Sequence, residues 1–220
     1  ATVSLTINPV NDAPTGIIFN RLFLVENTDS SSGLKVGSLA AIDADLTDHF
    51  TYSISGGPDA AKFSIGGAAL NELHLTDGIL DFEVQSSYQI KVMVTDSGGA
   101  QFERPVTVFI ADRNDLPQGL PVILGKPQFK ETLLADTSHI HDDDGLGAFS
   151  FQWFRNGVAI TGATGNSYTL VQDDVDARIR VSVSYTDARG TKEGPIFSAA
   201  TTPIEMTAPP PVQPALTTLP

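Results

Sequence analysis

One segment of this chain is written twice, and the copy sets the size of whatever the chain folds into. Val3, Ile7, Asn11, Asp12 and Pro14 recur in the same register as Val106, Ile110, Asn114, Asp115 and Pro117, with Leu5 answered by Val108. A strand and its exit loop repeated at domain spacing is the mark of tandem modules. The spacing divides the 220 residues into four parts. Residues 1–11 are expected to be the terminal strand and linker of a truncated preceding repeat. Residues 12–117 form one module, 118–205 a second, and 206–220 a proline-rich tail or linker.

Within each module the periodicity is two. Tyr88, Ile90, Val92 and Val94 alternate with Gln89, Lys91, Met93 and Thr95, as a half-buried strand requires. Similar segments cover Ile17–Leu24, Lys35–Ile42, Phe50–Ile54, Phe63–Ile65, Leu73–Leu75 and Arg104–Ile110. Breakers such as Ser55-Gly56-Gly57-Pro58 leave no room for a helix between them. The second module reads the same way over Pro127–Ala135, Phe149–Arg155, Tyr168–Leu170, Ala177–Thr186 and Pro195–Thr202. Asn156-Gly157 marks a tight hairpin there. Trp153 shares its parity with Phe149 and Phe151 and is assigned to the core. The expected fold is all-β: two tandem antiparallel β-sandwiches of Greek-key type, joined end to end.

The 26 acidic residues outnumber 13 basic ones, for a formal charge of −13. Such a surface repels nucleic acid and anionic lipid and attracts divalent cations. The acids also cluster at strand ends. Glu26 follows the first strand, and Asp43-Ala-Asp45 closes the second. Asp81-Phe-Glu83 precedes Tyr88, Asp96 follows Thr95, and Asp112, Asn114 and Asp115 lie in the linker. Ionised carboxylates that converge on one pole need a cation between them. Oxygen donors in a chain with no cysteine and four histidines select Ca²⁺ over zinc or copper. The alternative is a set of separate solvated loop acids, common for Asp in turns. His139 and His141 beside Asp142 also leave a softer metal open as a minor alternative.

Five motifs in order, V-E-N-T at Glu26, D-A-D at 43–45, L-D-F-E at 80–83, D-S-G-G at 96–99 and D-R-N-D-L-P at 112–117, resemble the cadherin repeat over about residues 12 to 117. The resemblance implies calcium at the joints between repeats. Glu26, Asp81, Glu83, Asp112, Asn114 and Asp115 would be the upper part of one inter-domain site. Asn11, Asp12, Asp43, Asp45 and Asp96 would be an N-terminal half-site. That half-site is expected to be weaker or empty, because Pro9 stands in the place of Asp112.

The second module is no cadherin repeat, yet Asp142-Asp143-Asp144 and Asp187 occupy the places of D-A-D and of Asp96. Asp45 lies 33 residues beyond Asp12, and Asp144 lies 29 beyond Asp115. Asp142, Asp144 and Asp187 are therefore expected to complete the joint. The alternative is a self-contained acidic loop. Its segments F-Q-W-F-R-N-G-V-A-I, T-G-A-T-G-N-S-Y-T-L and V-S-Y-T-D resemble the immunoglobulin-like repeats of large bacterial surface proteins. Together the two resemblances imply a giant Gram-negative adhesin and a place outside the cell or on the outer cell surface.

No G-x-S-x-G elbow, H-E-x-x-H pair or G-x-G-x-x-G turn is present, and the chain is not expected to be an enzyme. The expected role is a calcium-stiffened strut whose partners are neighbouring repeats of the same polypeptide. The alternative is an adhesive module that binds a host or bacterial protein, a glycan or another copy. Neither nucleic acid nor direct membrane insertion is expected.

Overall fold

The computed structural model describes residues 10–45 and 47–206. The strand expected at Val3–Ile7, Pro9, and the tail from 207 onward lie outside the described residues. The chain divides into two compact units between Arg113 and Asn114.

The described residues of the first unit form eight strands: β1 (Gly16–Phe19), β2 (Phe23–Val25), β3 (Leu34–Ile42), β4 (Thr51–Gly56), β5 (Phe63–Gly66), β6 (Glu72–Leu75), β7 (Ser87–Thr95) and β8 (Gln101–Ala111). They form two four-stranded sheets, ordered β1-β3-β6-β5 and β2-β8-β7-β4. Alternation places the core as expected. Tyr88, Ile90, Val92 and Val94 point inward from β7 and meet Val106, Val108 and Ile110 of β8 and Val36, Leu73 and Leu75 of the opposite sheet. Each fully buried aliphatic side chain is worth about 1.5–3 kcal/mol.

The segment Ile17–Leu24, which reads as one strand, is two strands in different sheets. Between them Asn20 Oδ1 accepts the Ser38 N–H at 2.7 Å, and Arg21 Nε donates to the Val36 carbonyl at 2.7 Å. A Cβ on Gly37 would lie 2.5 Å from the Arg21 carbonyl oxygen, so the crossing chain needs glycine there. The β3–β6 register also shifts between Lys35 and Gly37. The crossing has a consequence for function. β2 runs parallel to β8, with Val25 beside Ala111, so Glu26 and Asp112 leave the sheet at the same pole.

The second unit has β9 (Val122–Leu124), β10 (Thr132–Asp136), β11 (Ser150–Arg155), β12 (Val158–Ala159), β13 (Ser167–Thr169), β14 (Ile179–Thr186) and β15 (Lys192–Phe197). Its sheets are ordered β13-β10-β9 and β12-β11-β14-β15. Asn156 and Gly157, at φ 48 and 85°, make the β11–β12 hairpin turn. Trp153 is 0% exposed, donates Nε1–H to the Gly165 carbonyl at 2.9 Å and stacks on Tyr168. The strand read as Pro127–Ala135 starts only at Thr132, because Lys130 sits at φ 71° and Gln128 bridges to Glu205.

A buried carboxylate ties this unit together. Asp174, 0% exposed, accepts from Arg155 Nε at 2.7 Å, Tyr168 OH at 2.9 Å and the Val171 N–H at 2.7 Å. Removing it strands three donors. Asp174→Ala is expected to cost about 3 kcal/mol. Urea unfolding followed by the fluorescence of Trp153, the only tryptophan, reads the second unit alone and checks the value.

Candidate metal-binding sites

Acidic side chains gather in three places, each taken within its own unit. At the first pole of unit one, the loop after β3 and the loop after β7 face the segment that enters β1. Asp43, Asp48 and Asp96 each bring a carboxylate oxygen within 4.8 Å of the others. The Asp12 N–H donates to Asp45 Oδ2 at 2.7 Å, and the Asp45 N–H donates to Asp43 Oδ1 at 3.0 Å. Asn11 Nδ2 donates to Asp96 Oδ2 at 2.9 Å, while the Ala100 N–H donates to Asp96 Oδ1 at 2.8 Å. Ser97 Oγ donates to Asp48 Oδ1 at 2.7 Å. Asp43 Oδ2 and Asp48 Oδ2 are buried and accept nothing from the described residues.

Asp48 was not among the residues singled out from the sequence. It lies only a few positions past D-A-D and belongs to no motif; its partner Ser97 is far away in sequence. Burial pushes the Asp96 carboxyl up, but donation from Asn11 and from the backbone of Ala100, Gly99 and Gly98 outweighs it and holds the group below the usual carboxylate range.

The opposite pole of unit one is built on Glu26, 1% exposed. Glu26, Asp81 and Glu83 bring carboxylate oxygens within 4.8 Å of one another. Glu26 Oε2 accepts the Phe82 N–H at 2.8 Å, and Oε1 accepts the Arg113 N–H. Asp81 Oδ1 accepts the Val84 N–H at 2.9 Å. Glu26 thus clamps both the L-D-F-E loop and the exit of β8, where exposed Asp112 lies. Asn27, at φ 58°, turns the chain away immediately afterwards.

The third place lies inside unit two, and it repeats the backbone bonds of the first. The Asp115 N–H donates to Asp144 Oδ2 at 2.7 Å, and the Asp144 N–H to Asp142 Oδ1 at 3.0 Å. The Thr191 N–H donates to Asp187 Oδ1 at 2.8 Å, matching Ala100 on Asp96. Asp142 also accepts from the Tyr185 hydroxyl, whose pKa is raised by burial and by the Asp142, Glu193 and Asp187 carboxylates. Asp142, Asp144 and Asp187 are all buried. One contact differs: Asn114 Nδ2 donates to Glu193 Oε1 at 2.9 Å rather than to the loop aspartate. Glu193 was also absent from the sequence reading.

The donors in all three places are hard oxygens, with no histidine in any carboxylate cluster among the described residues. His141 is exposed and pairs with Asp143 at 2.8 Å. Buried carboxylate oxygens without a hydrogen donor fit a hard cation such as Ca²⁺.

A family model described as Cadherin domain matches residues 24–111, which lie within the first unit. Protocadherin Fat 4 of Mus musculus is 28% identical over 223 aligned residues, covering 94% of this chain and 4% of that protein. Cadherin-related family member 2 of Homo sapiens is 31% identical over 119 residues, covering 49% of this chain and 9% of that one. The chain thus spans a small part of the curated relatives it matches. A protocadherin gammaB7 EC3-6 cis-dimer structure aligns with TM-score 0.53 at 20% identity, over 89% of this chain and 48% of that one. The protocadherin gammaB4 extracellular domain aligns with TM-score 0.51 at 18% identity, over 91% and 33%. At those identities the likeness is one of fold.

A Cβ on Gly98 would lie 2.4 Å from the Asn11 amide carbon. Gly98→Ala is therefore expected to expel that amide from Asp96. Asn11→Ala removes the same donor without a clash. In chelator, both are expected to raise the Asp96 pKa, read from its side-chain carbon shifts across an acid titration. A depressed carboxyl adds stability above its unfolded pKa of about 3.9 and loses it as pH falls through the folded value. Acid unfolding of either variant should therefore begin at higher pH than in wild type.

Proposed function

We propose that the chain is a non-catalytic extracellular pair of modules from a longer tandem array, in which Ca²⁺ at the module ends turns a hinged string into an extended strut. The observation that carries this is the repetition of one hydrogen-bond pattern in the two sandwiches. The bonds from Asp12 to Asp45, from Asp45 to Asp43 and from Ala100 to Asp96 in the first unit are answered by those from Asp115 to Asp144, from Asp144 to Asp142 and from Thr191 to Asp187 in the second. The six strands the sandwiches share run in the same order, β1-β3-β6 against β9-β10-β13 and β4-β7-β8 against β11-β14-β15, and only the edges differ, so the acids stand at corresponding strand ends. Calcium ligands would be Glu26, Asp81, Glu83 and Asp112 at the end of the first unit and Asn114, Asp115, Asp142, Asp144 and Asp187 at the pole of the second. At the N-terminal half-site Asp48 joins Asn11, Asp12, Asp43, Asp45 and Asp96.

The ion would supply positive charge among carboxylates that otherwise repel one another. The protein's part is to aim them. Backbone N–H groups of Asp12, Asp45, Asp115 and Asp144 hold the aspartates in rotamers that turn their remaining oxygens together. Neighbouring repeats are the partners this reading requires. The immunoglobulin-like character read from the second unit's sequence supports a large bacterial surface adhesin as the parent.

An adhesive role is the second reading, and one observation favours it. Phe23 and Phe109 are paired on the outer face of the β2-β8 edge, both more than half exposed, with the Arg21 guanidinium over Phe23. Such an aromatic pair suits a protein or glycan partner.

Calcium is expected to raise the melting temperature. At a hundredfold excess over Kd, mass action adds about 2.7 kcal/mol, or roughly 10 °C for a domain of this size. Asp144→Asn should remove most of the gain in the Trp153 signal, while Asp59→Asn, outside the acid clusters, should leave it intact. Unchanged melting and unchanged small-angle scattering with and without chelator would end the strut reading.

A further inference from the structure

The two matching constellations differ in one donor–acceptor choice, and the difference has a chemical consequence. In the first unit the linker asparagine uses up the loop aspartate. Asn11 Nδ2 takes Asp96 Oδ2 at 2.9 Å and the Ala100 N–H takes Oδ1 at 2.8 Å, so both oxygens are engaged. In the second unit Asn114 Nδ2 turns to Glu193 Oε1 at 2.9 Å. Asp187 then receives only the Arg189 and Thr191 N–H groups, both on Oδ1, at 2.9 and 2.8 Å. Its Oδ2 is buried and accepts no hydrogen bond from the described residues, although the whole residue is 6% exposed. Glu193 is itself 7% exposed, an unusual depth for a glutamate, while the adjacent Lys192 is exposed. It is opposite Tyr185 in the β14–β15 ladder, at the pole where Asp142 takes the Tyr185 hydroxyl.

We propose that Glu193 is a positioning residue of the second unit's cation site: by accepting the Asn114 amide, it keeps Asp187 Oδ2 for the metal. The proposal rests on the reading of this pole as a calcium half-site. Among the described residues the first unit has no such substitute acceptor, so both oxygens of its loop aspartate are taken by hydrogen bonds. One extra carboxylate oxygen on an equivalent backbone frame makes the second unit's half-site the tighter of the two, since Ca²⁺ affinity follows the number of charged ligands. Without Glu193 the Asn114 amide keeps only the Asp115 carbonyl, and its second hydrogen is expected to take the acceptor that Asn11 uses, the loop aspartate.

The test is a Ca²⁺ titration of the full ¹⁵N-labelled chain. The amides of Gly145 and Gly190 report the second unit, and those of Gly98 and Gly99 report the first. Glu193→Ala is expected to weaken Ca²⁺ at the second pair about tenfold, the scale of one lost charged interaction, and to leave the first pair unmoved. Glu193→Gln keeps an oxygen for Asn114 and is expected to bind within about twofold of wild type. Adding Glu193→Ala to Asp187→Asn should weaken binding little further, because the same oxygen is already lost. That coupling is independent of any general loss of stability, which melting in chelator measures separately. Two results overturn the proposal: equal weakening by Glu193→Gln and Glu193→Ala, which makes Glu193 a ligand, or full additivity with Asp187→Asn. If wild-type glycines do not respond to Ca²⁺ at all, the calcium reading itself fails and this one falls with it.

Discussion

A backbone N–H of the linker, 2.7 Å from the last aspartate of a D-x-D or D-D-D run, recurs in both units and fixes what the poles can do. It anchors the entering chain to a strand-end loop, and it leaves the rest of each carboxylate facing its neighbours. The cost is electrostatic. Asp142, Asp144 and Asp187 are buried in one unit, and Asp96 in the other, in a chain of net charge −13. Backbone and asparagine donors meet part of that cost. Buried oxygens on Asp43, Asp48 and Asp187 receive no donor among the described residues and account for the rest. A divalent cation is the simplest partner for them.

The strand cores exist to hold those loops at fixed separation. β7 and β8 pair along nine residues, which brings Asp96 and the loop after Thr95 to one end and Ala111 to the other. The parallel β2–β8 pairing then puts Glu26 beside the exit of β8, where it accepts N–H groups from both Phe82 and Arg113. A buried glutamate with two backbone donors is a rigid part, and it gives the flanking Asp81 and Glu83 a fixed base. Function in this architecture sits at strand ends because only there do loops from both sheets meet.

Much of this was legible in the sequence. Alternation found β7, β11 and β14 and their buried faces, because side-chain direction in a strand depends only on parity. The paired Asn-Asp linkers and the D-x-D runs pointed to the acids, because these residues are rare inside strands and cluster where chains leave them. What was not legible depended on contacts between distant residues. Arg21 and Leu22 continue the pattern of Ile17–Leu24, and the break comes from Asn20 and Arg21 bonding to β3 across Gly37. Asp48 looks like any loop acid until Ser97 is seen to donate to it. Glu193 sits in a strand with no motif, and its meaning lies in Asn114, 79 residues away.

The proposed arrangement of these carboxylates is one that receives Ca²⁺. A crystal structure grown in millimolar CaCl₂ tests it most directly, with anomalous scattering to identify the ion. Calcium density is expected bonded to Asp144 and Asp187 in the second unit and to Glu26 and Glu83 in the first, at oxygen distances of about 2.3–2.6 Å. Water or sodium at those oxygens, in crystals of folded protein at the same calcium concentration, would contradict it.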